Sequence, residues 1–218
     1  MKINRFLDVA LASAAKVKVL RRLALDSKPK SGRALARDVE MSHAQVLRVL
    51  QELHGERLVH LERVGRSYAY SLRRDVLFVK DILVPLFQKE RRLPDELAQQ
   101  IVASIRTPTL SVCVFGSVAK GTDHAESDLD MAFVVQGRPA QSSLGEELAG
   151  EVADKAAALG VTLGPFVITR AELQRRFRAR DPFVRELTST CQHVSGAYLT
   201  EVISRGSTTR QNAKSRSQ

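Results

Sequence analysis

The sequence predicts an α+β protein in two domains, the first of helices and a hairpin, the second a mixed sheet with flanking helices. Three observations carry this reading. At 218 residues the chain has room for two small domains that each bury a core. Apolar residues recur at helical spacing three times before Gly55, then give way to two extended, Val- and Tyr-containing runs. Beyond Pro108 the order becomes strand, tight turn, strand, with helices after it.

The elements follow in order. Val17, Leu20, Leu23 and Ala24 place a first helix over Ala14 to Leu25, and the Asp26–Lys30 segment with Pro29 breaks it. Ser31 caps a short second helix through Leu35 and Val39. Ser42 caps a third, with Val46, Val49, Leu50 and Leu53 on its apolar face. Two strands, Leu58 to Arg63 and Ser67 to Leu72, flank the basic turn Val64-Gly65-Arg66. Val76, Val79, Ile82, Leu83 and Leu86 make an amphipathic helix of Asp75 to Gln88. Lys89 to Arg92 is a basic stop, and Pro94 opens another helix, Asp95 to Ile105. The divisions are therefore 1–74, a helical linker 75–107, a second domain 108–204 and a basic tail 205–218 without apolar period, expected to be disordered.

Composition narrows the classes. Hydrophobic residues are 44%, with no Trp, and no apolar run approaches the ~20 residues of a membrane helix, so no membrane partner is expected. Asp8, Lys16 and Lys18 interrupt the early apolar pattern, which excludes a secretory core there. Cys113 and Cys191 are far apart in sequence and make no disulfide framework, so the expected home is the cytoplasm. The net charge of +10 is unevenly placed. Residues 1–93 carry 20 basic and 10 acidic side chains, whereas 94–204 carry 10 and 14. Polyanion contact is thereby assigned to the first half, against the plainer reading that basic excess serves solubility.

The segment SGRALARDVEMSHAQVLRVLQELHGERLVHLERVGRSYAYSL resembles the winged helix-turn-helix of bacterial transcription regulators. The resemblance implies that the third helix enters the major groove of DNA. Ser42, His43, Gln45 and Arg48 are then the candidate base or phosphate contacts, and Arg63 and Arg66 the contacts of the hairpin wing. Such modules usually read two-fold sites, which implies a homodimer. The alternative for this module is a protein–protein contact, which the basic wing disfavours.

The most specific segment is LSVCVFGSVAKGTDHAESDLDMAFVV. Leu110 to Phe115 is a buried strand, Gly116-Ser117 a sharp turn, Val118 to Lys120 a short helix, and Asp128 to Val135 a second strand. Side chains at i and i+2 of a strand point to one face, so Asp128 and Asp130 converge. Convergent carboxylates suit Mg²⁺, which completes its shell with phosphate and water. Gly116 allows close backbone approach to a phosphate, Ser117 supplies a hydroxyl, Ser127 lies beside the acids, and Lys120 neutralises triphosphate charge. The bland alternative is that the two acids merely solvate a strand start.

Gly-Ser, a ten-residue spacer and Asp-x-Asp resemble the minimal nucleotidyltransferases of the polymerase-beta-like superfamily, over roughly residues 108–200. The resemblance implies an NTP on the Gly116-Ser117 turn, Mg²⁺ or Mn²⁺ on Asp128 and Asp130, and in-line attack by a hydroxyl of a protein or an RNA end. That family usually has a third carboxylate on a later strand. Here that strand is GVTLGPFVIT, where Thr162 and Gly164 occupy the acid's alternates. Losing a general base costs about 10²–10⁴-fold in rate. Two readings therefore stand: a working transferase, or a nucleotide-sensing DNA-binding regulator. An interaction scaffold with neither activity is the weaker third. Helices over Leu144 to Leu159, Arg170 to Arg180 and Pro182 to Thr190 complete the domain. The arginines 175, 176, 178 and 180 read first as a solvated basic face, and Cys191-x-His193 lacks a second ligand pair for a metal.

Overall fold

The structure, a computed structural model, describes residues 5–204, so the basic tail expected to be disordered lies outside the described residues. The chain divides into two compact units, Met1–Arg92 and Leu93–Gln218. Both mix helices with sheet, so the α+β class holds.

The first unit runs α1 (Phe6–Ala10), α2 (Ala14–Leu25), β1 (Lys30–Ser31), α3 (Gly32–Asp38), α4 (His43–Gly55), β2 (Val59–Val64) and β3 (Ser67–Leu72). Each of the three longer helices starts at a serine. Ser13 accepts from the Lys16 N–H at 3.2 Å and Ser31 from Ala34 at 3.2 Å, each satisfying a donor the helix cannot pair internally. Ser42 and Gln45 form a reciprocal capping box at the start of α4. The apolar faces then meet in one core, with Leu20, Leu23, Leu35, Leu50 and Leu53 buried. The three strands pair antiparallel in the order β1-β3-β2, and Gly65 takes φ +62° at the hairpin turn. The expected break after α2 thus contributes a strand, because Lys30 pairs with Tyr70. β2 begins one residue later than its apolar pattern suggested, since register is set by pairing Val64 with Ser67.

The expected stop at Lys89–Arg92 is not observed. A π-helical turn over Val79–Leu83 leads into one helix, α5 (Val84–Val102), with Pro94 inside it. An internal proline removes one helical hydrogen bond. Buried anchors on either side, Phe87 in one core and Ala98 and Ile101 in the other, hold the helix through that loss.

The second unit continues with β4 (Ser111–Val114), α6 (Gly116–Lys120), β5 (Leu129–Val135), α7 (Arg138–Ala149), α8 (Glu151–Ala158), β6 (Leu163–Thr169), α9 (Arg170–Arg178), α10 (Pro182–Thr190), β7 (Gln192–Gly196) and α11 (Leu199–Ser204). Sheet order is β6-β5-β4-β7, with β5–β6 parallel and the other pairs antiparallel, a mixed sheet. The parallel pair needs a crossover, which α7 and α8 supply. The single helix expected over Leu144 to Leu159 is two, because Gly150 at φ −112° and ψ −115° leaves helical geometry between them. Phe133, Met131, Leu144 and Val152 lie in the core on one face of the sheet. Ala132, Val134, Ile168, Leu173 and Leu187 lie in a second core on the other. Strand β7 and helix α11 had no clear sequence signal, β7 being short, polar and half exposed.

Candidate functional site

The site lies where β4 ends, α6 begins and β5 and β6 run side by side. β4 delivers Phe115, whose N–H bonds the Asp130 carbonyl at 2.9 Å and fixes the turn against β5. Gly116 follows at φ +71°, a left-handed conformation that non-glycine residues pay to adopt. A Cβ there would fall on the Asp130 carboxylate, with Cγ at 3.0 Å and Cβ at 3.2 Å. On the other side β6 pairs Gly164 with Asp130 in register. A Cβ on Gly164 would meet Asp130 Oδ1 at 2.5 Å and the Asp128 Cβ at 3.5 Å. The Asp130 carboxylate therefore sits between two bare backbones, one oxygen over each, and Asp128 shares the face.

This cradle has an electrostatic cost. Partial burial, and then the charge of Asp128, push the Asp130 carboxyl above the ordinary carboxylate range. Asp128 itself is exposed and Asp130 half-buried. Two acids held together in this way attract a cation. Among the described residues no group of three or more Asp, Glu, His or Cys side chains is arranged to hold a metal, so the pair is what the chain itself offers.

The other nominated residues divide into free and engaged. The Ser117 hydroxyl makes no hydrogen bond with another described residue, while its carbonyl accepts from Thr122 at 3.0 Å. Ser127 is half-buried, and its Oγ accepts from the His124 N–H at 3.0 Å, which closes the loop before β5. Lys120 pairs with Glu186 of α10 at 2.6 Å, both side chains about half exposed. Pairs of this exposure contribute about 0–1 kcal/mol, so a triphosphate competes readily for the lysine. Glu186 had no sequence signal, since 66 residues separate it from its partner. Thr162 precedes β6, is exposed, and its carbonyl accepts from Leu129 at 2.8 Å. Val161 and Leu163 pack in the core with α7 and α8, so the alternation that turns Gly164 toward the acids holds.

In the first unit, His43 and Arg48 are exposed on α4, and Arg63 and Arg66 are exposed on the hairpin. Arg63 Nε donates to the Gly65 carbonyl at 3.3 Å. The side chains of Ser42 and Gln45 are occupied by the cap: Ser42 Oγ accepts from Gln45 N–H at 3.3 Å, and Gln45 Oε1 accepts from Ser42 N–H at 3.2 Å. The two cysteines, distant in sequence, meet in the second unit. Hydrogen bonding to Cys191, followed by burial, pushes the Cys113 thiol up, and the same bond brings Cys191 down to about 7.

Residues 96–185 match the family described as nucleotidyltransferase domain, so such a domain is present in this part of the chain. None of the curated proteins matches the sequence. Among solved structures, a mutant of Lactococcus lactis ZitR is similar at 20% identity and TM-score 0.33, over 39% of this chain and 60% of that one. The chain therefore spans less than two thirds of that protein. A toxin-antitoxin with AMP-PNP is 16% identical over 56% of this chain and 90% of that chain, with TM-score 0.33. A mutant of the toxin-antitoxin MntA-HpeT is 13% identical over 56% and 89%, with TM-score 0.32. Likenesses this distant carry no reading of function. Among the described residues no helix is long and apolar enough to cross a membrane.

Proposed function

We propose that the second unit transfers a nucleoside monophosphate from an NTP to a hydroxyl acceptor, with a divalent metal, and that the first unit is a winged helix-turn-helix that binds DNA and targets or regulates the reaction. The observation that carries the transfer reading is the Asp130 carboxylate seated between Gly116 and Gly164, with Asp128 on the same face. Space at both glycines is given up to one carboxylate, and its charge is kept beside a second acid at an electrostatic cost. A binding cation removes that cost.

The donor set fits Mg²⁺ or Mn²⁺: two carboxylates leave room for phosphate oxygens and water in the shell. The metal, when bound, neutralises charge on the phosphates during displacement. The chain's own residues do the rest. Gly116 lets the backbone come close to the triphosphate, and the free Ser117 hydroxyl donates to it. Lys120 leaves Glu186 to meet phosphate charge. Asp128 and Asp130 would hold that cation against the alpha-phosphate; as the acceptor oxygen bonds to phosphorus the bond to pyrophosphate breaks, and the hydroxyl proton passes to solvent, since Gly164 rather than a third acid faces Asp130.

For the first unit, the supporting observations are the exposed Arg48 on α4 and the exposed Arg63 and Arg66 on the hairpin. An exposed arginine on the helix with a basic hairpin after it matches a duplex read in the major groove and flanked along its backbone. A gel shift at rising salt tests this, with Arg48→Ala and Arg66→Ala each weakening binding and flattening the salt slope by about 1. A homodimer suits a two-fold site.

The transfer reading is tested by incubating the protein with each labelled NTP, Mg²⁺ or Mn²⁺ and lysate. Transferred label that vanishes in Asp128→Asn/Asp130→Asn is expected. A second reading, a nucleotide-sensing regulator without turnover, has one observation in its favour: Gly164, not an acid, faces Asp130 across β6. Metal-dependent NTP binding with no pyrophosphate release decides for it.

A further inference from the structure

Positive charge in the second unit is not spread over its surface. Residues 94–204 carry ten basic side chains, and six of them lie between residues 170 and 185, in a stretch whose acids are Glu172 and Asp181. Both acids are paired inside that stretch: Arg176 with Asp181 at 3.0 Å, and Arg175 with Glu172 at 4.0 Å. Arg178, Arg180 and Arg185 are exposed, and among the described residues none has a carboxylate partner. A stretch of chain in which acids outnumber bases, 14 to 10 over residues 94–204, thus keeps three uncompensated guanidiniums beside one depression.

Those three arginines, with Phe177, line an open depression of ≈ 580 Å³. Phe177 is 40% exposed and so presents its ring to the depression. It also lines the neighbouring depression of ≈ 370 Å³ with Gln174, Thr200 and Ile203. Arg180 follows α9 at φ +57°, and the Asp181 N–H reaches back to the Arg176 carbonyl at 3.0 Å, closing a Schellman-type end. Glycine or asparagine normally takes that position, and an arginine there costs on the order of 1 kcal/mol. Glu40 and Arg57 end helices in the same way, so the strain is shared by three ends, and at this one it places a guanidinium at the mouth of the depression.

An exposed aromatic ring ringed by unpaired guanidiniums has a specific chemical complement: a flat base to stack on the ring and phosphates to pair with the arginines. A duplex hides its base faces, so it leaves Phe177 unused, and an acidic peptide, which lacks bases to stack, is an outcome the test separates. α10 carries Arg185 at the depression and, one residue on, Glu186, which holds Lys120 of α6 at 2.6 Å.

We propose that the α9–α10 surface, built from Phe177, Arg178, Arg180 and Arg185, docks single-stranded RNA. RNA is the occupant to which we commit because its loops and ends ordinarily present unstacked bases to protein aromatics. As the seat of an acceptor strand the surface rests on the transfer reading. As a binding surface it does not, because binding is read without turnover.

The test uses the full chain, a fluorescent single-stranded RNA 12-mer, and excess unlabelled duplex DNA to occupy the first unit. Phe177→Ala should weaken RNA binding about 5- to 150-fold, the range for loss of one base–aromatic stack, and Phe177→Tyr should restore it. Arg178→Ala/Arg180→Ala/Arg185→Ala should flatten the slope of log affinity against log salt by about 2, since each single-strand phosphate contact contributes about 0.7. Arg180→Gly should raise Tm while weakening binding, because it releases the strained backbone. Unchanged affinity in Phe177→Ala overturns the proposal, as does equal affinity for DNA of the same sequence or full displacement by poly-glutamate. Loss of RNA binding with label transfer to protein acceptors intact refutes the docking surface's role in transfer and spares the reading of the site. Intact RNA binding with no transfer does the reverse.

Discussion

Three glycines of the second unit separate backbone strain from displacement of Asp130. Gly116→Ala forces an L side chain to φ +71° and puts its Cβ against the Asp130 carboxylate. Gly121→Ala imposes nearly the same conformation, φ +67°, but its Cβ meets nothing within 4 Å. Gly164→Ala has no left-handed φ, yet its Cβ lies 2.5 Å from Asp130 Oδ1. The left-handed conformation costs about 1–2 kcal/mol, so Gly116→Ala and Gly121→Ala should both lower Tm by roughly 3–8 °C. The contacts decide the rest. At Gly116 the new Cβ meets Asp130 Cγ at 3.0 Å, whereas carbon atoms rest about 3.5–4.0 Å apart, so the carboxylate must retreat by about 0.5–1 Å. A misplacement of that size at a reacting centre costs about 10²-fold in rate. Gly116→Ala and Gly164→Ala should therefore lose at least tenfold in Mg²⁺-dependent NTP affinity, about 1.4 kcal/mol. Gly121→Ala should bind as the native chain does. Calorimetric titration with Mg²⁺ and each NTP, beside thermal melts, makes the measurement. Equal affinity for all four proteins would refute the cradle, and equal loss in Gly121→Ala would assign the effect to strain alone.

Three further outcomes follow from the same geometry. Asp130→Asn removes a like charge from a half-buried place beside Asp128, so Tm without metal should rise while Mg²⁺-dependent nucleotide binding disappears; a fall in both marks Asp130 as structural instead. Thr162→Asp, one register place before the Leu129–Leu163 pair and exposed, offers an acid opposite Asp128 without crowding Asp130. Pyrophosphate release should rise by about 10²-fold or more, and no gain at any pH argues against a base at that position. In the first unit, hydrogen bonds from Lys30 and then Arg22 hold the Asp38 carboxyl below its ordinary range. Its contribution is present above the usual carboxylate pKa and lost as pH falls through the lowered folded value, so Asp38→Asn should flatten the acid limb of urea-unfolding stability and leave neutral-to-alkaline behaviour parallel to the native chain.

What the sequence determined by itself is what neighbouring residues decide. Ser31 and Ser42 mark helix starts because a capping hydroxyl bonds an N–H three residues away, and both cap as expected. Asp128 and Asp130 were legible as a pair because strand alternation puts i and i+2 on one face. The Gly-Ser turn was legible because Gly116 is the residue that takes a left-handed φ without penalty. Local rules misled where burial outweighed them. Pro94 reads as a helix start, yet Phe87 and Ile101 anchor one helix across it. Tertiary structure alone decided which residues meet from afar. Gly164 read only as one of the places where a third acid was missing, and it is the parallel register of β5 and β6 that reveals its missing side chain making room for Asp130. Lys120 and Glu186, and Cys113 and Cys191, are likewise products of packing. Contacts between residues far apart in the chain leave no period and no spacing to read, because the free energy that selects them belongs to the assembled core.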